Sequence, residues 1–113
     1  DENLSEVSHT FVIFRKGFVE KHRGLVEKFV EGYTKGVDAI NSNPEKYREI
    51  FVETVKIPKE IADTYDIPIF PHPEPYRKSY YEKAAEWMKE KGYLSEEVPF
   101  EEIVDNSFVH DQD

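Results

Sequence analysis

The sequence predicts a mainly α-helical chain of four to five helices preceded by one short N-terminal strand, and three observations carry that prediction. Apolar residues recur every three or four positions over residues 21–42 and again over residues 76–91, as helices with one buried face require. Pro44 and Pro58 stand where helices begin, because the first turn has no use for the amide hydrogen that proline lacks. Only residues 10–14 read as sheet, through the apolar run Phe11-Val12-Ile13-Phe14 of a strand that lies between neighbours. One strand cannot pair with itself, so the chain is expected to be part of something larger.

In order along the chain, residues 1–8 are polar and expected to fray, residues 9–109 to form a single helical domain, and residues 110–113 to fray again. After the strand and a turn at Phe18, the first long helix buries Leu25, Val26, Phe29, Val30, Tyr33, Val37 and Ile40. Gly24, Gly32 and Gly36 lie in that helix, where each costs about 1 kcal/mol relative to alanine, so another backbone is expected to approach closely. Asn43-Pro44-Glu45 combines a capping side chain, a first-turn proline and a first-turn acid, and opens a helix burying Tyr47, Ile50, Phe51 and Val55. Pro58 opens a short helix with Ile61, Ala62 and Tyr65. Pro68, Pro71, Pro73 and Pro75 then force an extended strap, whose Ile67, Ile69 and Phe70 are suited to packing on helices. Tyr76, Tyr80, Ala84, Trp87 and Met88 share one side of the next helix, which Gly92 ends in a left-handed cap with Tyr93 or Leu94 folding back. A last turn spans residues 100–104.

Composition narrows the function. The 113 residues hold 24 acids against 15 bases, a net charge of −9 that repels phosphate backbones and anionic membranes, so no nucleic-acid partner is expected. Lysines and glutamates alternate, as in Lys89-Glu90-Lys91, which reads as a solvated helical face. Without cysteine there is no disulfide, thiolate nucleophile or zinc-thiolate site. These residues contain neither an apolar run of about 18 nor a basic leader. Abundant Glu and Lys point to a thermophilic source.

No catalytic signature emerges. His9, His22, His72 and His110 are far apart and none falls in an H-E-x-x-H arrangement. The serines lack a nucleophile elbow, and there is no phosphate-cradling glycine loop. Glu96-Glu97 and Glu101-Glu102 flank Pro99, where first-turn carboxylates favour the helix dipole. The expectation is a non-enzyme with no catalytic residue, no metal ligand and no cofactor.

The order of these features carries a resemblance. Val12-Ile13, a turn with Phe18, Glu20-Lys21-His22 leading into Leu25-Val26-Phe29-Val30, the Asn43-Pro44-Glu45 break and a closing helix ending at Gly92-Tyr93-Leu94 together resemble the C-terminal part of the substrate-binding proteins of ABC importers. The branch is the one that handles sulfonates, nitrate and thiamine-pyrimidine-like compounds, and the resemblance covers about residues 9–109. It implies the C-terminal piece of a two-lobed α/β periplasmic-binding-protein fold, in which a strand returns from the second lobe to the first. It also implies capture of a small organic or anionic ligand by hinge closure and delivery to an ABC permease, in the periplasm or outside the cell, with any lipid anchor upstream of these residues.

On that reading this chain is a fragment whose ligand contacts lie mostly elsewhere, with Ser8, His9 and Thr10 nearest the hinge. Helices that cover a sheet would expose Leu25, Phe29, Tyr33 and Phe51, so a homodimer or swapped assembly is expected. The alternative is a free-standing helical interaction module docking through Tyr76, Tyr80 and Trp87. An enzyme of the related pyrimidine-synthesis group would need the cysteine and histidine cluster that this sequence lacks.

Overall fold

The computed structural model describes residues 10–110. They are mainly helical: α1 (Lys16–Lys21), α2 (Arg23–Ser42), α3 (Arg48–Val55), α4 (Lys78–Glu90) and α5 (Phe100–Ile103), with 3₁₀ turns at Pro44–Tyr47 and Lys59–Ile61. The strand expected at residues 10–14 is not formed: they run as irregular chain, and no second strand lies among the described residues to complete a ladder. Ile13 is accordingly 86% exposed, while the Phe11 ring meets Tyr76 edge-on at 4.9 Å. The turn expected around Phe18 is helix α1. Arg15 enters it extended, and the Val19 amide donates to the Arg15 carbonyl at 3.1 Å. His22, at φ −132° and ψ 42°, ends it before α2 begins, with its ring 4.9 Å from Phe18.

The chain divides into two compact units, one made of Asp1–Glu27 with Glu74–Asp113 and the other of Lys28–Pro73. In the Lys28–Pro73 unit Val37 is buried, and the half-buried Phe51 ring sits 6.0 Å from Tyr65 and 6.2 Å, edge-on, from Phe70. Tyr47 is half-buried too, but Ile50 and Val55 are exposed instead of buried, because a two-turn helix turns only one row inward. Asn43 makes no side-chain cap; Pro44 holds the first turn, and the Lys46 amide donates to the Asn43 carbonyl at 3.2 Å. Helix α3 closes on Lys56 in the left-handed region, φ 60°, with the Ile57 amide donating to Val52.

The close backbone expected at the α2 glycines is not there. A Cβ at Gly24, Gly32 or Gly36 would meet nothing within 4 Å, and of the row expected to be buried on α2, Leu25, Phe29 and Tyr33 are exposed instead, while Val26 and Val37 are buried and Val30 and Ile40 half-buried. The glycine cost is therefore uncompensated in this chain. Gly32→Ala and Gly36→Ala are expected to stabilise the isolated chain by about 0.5–1 kcal/mol each, read as a higher thermal midpoint. A lower midpoint would show that something packs against these positions.

In the other unit Val26 is 2% exposed and Ala85 is buried on α4. Tyr76, Tyr80 and Ala84 are half-buried as expected, but Trp87 and Met88 are exposed. Ala85 is the fully buried position of α4, Tyr81 is half-buried like Tyr80 and Ala84, and the Phe100 ring lies 5.6 Å from Tyr81 and 6.4 Å from Tyr76. The end of α4 follows its sequence signal. Gly92 takes φ 74°, its amide donates to Lys89 at 3.0 Å, and the Tyr93 amide reaches back to Met88 at 2.8 Å, a complete Schellman cap.

Candidate functional site

Two asparagines pin the proline strap, and each does so from within one unit. The Phe70 amide donates to Asn41 Oδ1 at 2.9 Å while Asn41 Nδ2 donates to the Phe70 carbonyl at 2.8 Å. Asn106 treats Tyr76 in the same way, with both bonds at 2.9 Å. A carboxamide presents one acceptor and one donor side by side, the same pair that a peptide offers to a neighbouring strand, so each asparagine satisfies a whole backbone residue. This matters where prolines have removed the usual donors. His72 Nε2 also lies 2.5 Å from Asp38 Oδ1, joining the strap to α2.

Arg48 fastens the turn after the second 3₁₀ segment. Its guanidinium forks onto the Glu45 carboxylate at 2.7 and 2.6 Å, and Nη1 donates to the carbonyls of Ala62 at 2.9 Å and Tyr65 at 2.7 Å. Arg23 does the corresponding work for the C-terminal segment, donating to Ser107 Oγ at 2.6 Å and covering the Phe108 ring at 4.2 Å. Ser107 in turn bonds Asp105 through both amide and hydroxyl.

An open groove of about 370 Å³ is lined by Lys78, Tyr81, Glu82 and residues 97–101. Much of its polar wall is committed within the chain: Lys78 pairs with Glu101 at 2.9 Å, Glu97 pairs with Lys89 at 2.6 Å, and the Tyr81 hydroxyl donates to the Val98 carbonyl. Lys78 holds the Glu101 carboxyl below its usual range, helped by the Glu101 amide. Of the residues nearest the expected hinge, Ser8 and His9 lie outside the described residues and Thr10 is exposed. Among the described residues no group of three or more His, Asp or Glu could hold a metal, and no helix is long and apolar enough to cross a membrane.

The perturbed groups give a pH dependence with a definite sign. Glu45 is lowered by its bond to Arg48, Glu101 by Lys78, and Asp105 by the Ser107 hydroxyl and amide, while Lys78 is raised by Glu101. Carboxyls whose pKa falls on folding add stability above their ordinary values, 4.5 for Glu and 3.8 for Asp, and lose it as pH drops through the folded values. An ammonium whose pKa rises adds stability below 10.5 and loses it as pH climbs through the folded value. The thermal midpoint is expected to be level from about pH 5 to pH 10 and to fall by a few degrees outside that window, since the pairs are exposed. Melting curves across pH read this directly.

Nothing in the sequence singles out Asn41, Asn106, Arg48 or Arg23. The partners of the asparagines are backbone groups about thirty residues away, which no residue pattern announces. No known protein family, no curated protein and no solved structure matches this chain.

Proposed function

We propose that this chain is the C-terminal part of the solute-binding component of an ABC importer, of the branch that takes sulfonates, nitrate or pyrimidine-like compounds. The observation that carries the reading is the order of elements: an apolar segment ending at Phe14, helix α2, the proline break at Pro44 and a closing helix α4 capped at Gly92. The open, apolar surface of α2 agrees with helices that lie on a sheet supplied by the rest of a two-lobed protein. Such a protein works outside the inner membrane, closes on its ligand at a hinge, and hands it to a permease without covalent chemistry. Its ligand contacts fall mostly outside these residues, and the fragment by itself pairs with a second copy, as a homodimer or a swapped assembly.

The test is a thermal-shift screen of the full-length protein against sulfonates, nitrate and pyrimidines. One class at a hundredfold its Kd is expected to stabilise the protein by about 2.7 kcal/mol. No shift with any class would overturn the reading. A second reading, a free-standing helical interaction module, draws on Trp87, which is 54% exposed with its ring 5.9 Å from that of Tyr93. The gene neighbourhood separates the two, because permease and ATPase genes alongside belong to the importer alone.

A further inference from the structure

We draw no further inference here: the strongest candidate, the apolar surface of helix α2 around Tyr33 with the open notch at Gly32 and Gly36, carries nothing because nothing in the structure shows what covers it.

Discussion

Asn106→Ala is expected to cost about 1–3 kcal/mol, the sum of two neutral hydrogen bonds at a part-buried position, and to lower the thermal midpoint by several degrees per kcal/mol. For a chain with three buried apolar residues among those described, that is a large share of a stability that is small in any protein. The loss comes from the Tyr76 amide and carbonyl, which alanine leaves without a partner. Asn106→Asp separates this account from simple loss of contacts. The aspartate still accepts from the Tyr76 amide but sets a second oxygen against the Tyr76 carbonyl, where the native Nδ2 donates. Repulsion and partial burial raise its folded pKa above the unfolded one, so protonation restores a donor. The gap between this variant and the native chain should therefore narrow as pH falls and widen as it rises. A gap that does not change with pH would defeat the paired-amide explanation. Asn41→Ala should behave alike at Phe70, because the geometry is repeated there.

The second large effect is self-association. Within the Lys28–Pro73 unit, Tyr33, Ile50, Val55, Ile61 and Ile69 are all exposed; in the other, Val12, Ile13, Leu25, Trp87 and Tyr93 are. Sedimentation at micromolar concentration is expected to show dimers or larger species that dissociate on dilution. The net charge of −9 opposes association, so added salt should strengthen it. A single monomeric boundary at every concentration and salt level would refute the expectation.

How much of this was legible in the sequence depends on whether a signal is local. The helices are, because a 3.6-residue period is written into Val26, Val30, Val37 and Ile40, although Leu25, Phe29 and Tyr33 of the same stripe stay exposed, and so is the end of α4, because glycine alone enters the left-handed region without strain. Pro68 to Pro75 likewise dictate an extended strap. Helix α1 is not legible, since Gly17 argues against a helix and Arg15 offers no cap, while the Phe18 and His22 rings meet only once the turn has formed. The exposure of Trp87 and Met88 is not legible, because how much of the α4 stripe is covered depends on Phe100, which meets Tyr76 and Tyr81 near the start of the helix and is distant in sequence from both. The apolar run at residues 10–14 has the composition of a strand, yet a strand is made by its neighbour, and none is present among the described residues. The site was the least legible part, for what organises the strap is side chain meeting backbone over long separations.

The strap also bears on how copies of this chain would meet. Four of its backbone positions, at Pro68, Pro71, Pro73 and Pro75, have no N–H to give, and those of Phe70 and Tyr76 are already taken by asparagines. A stretch so poor in free donors makes a bad template for another chain's edge, although Ile69 within it is 87% exposed. Association along this segment would therefore bury side chains and then stop, whereas an open edge would go on recruiting molecules into a fibril.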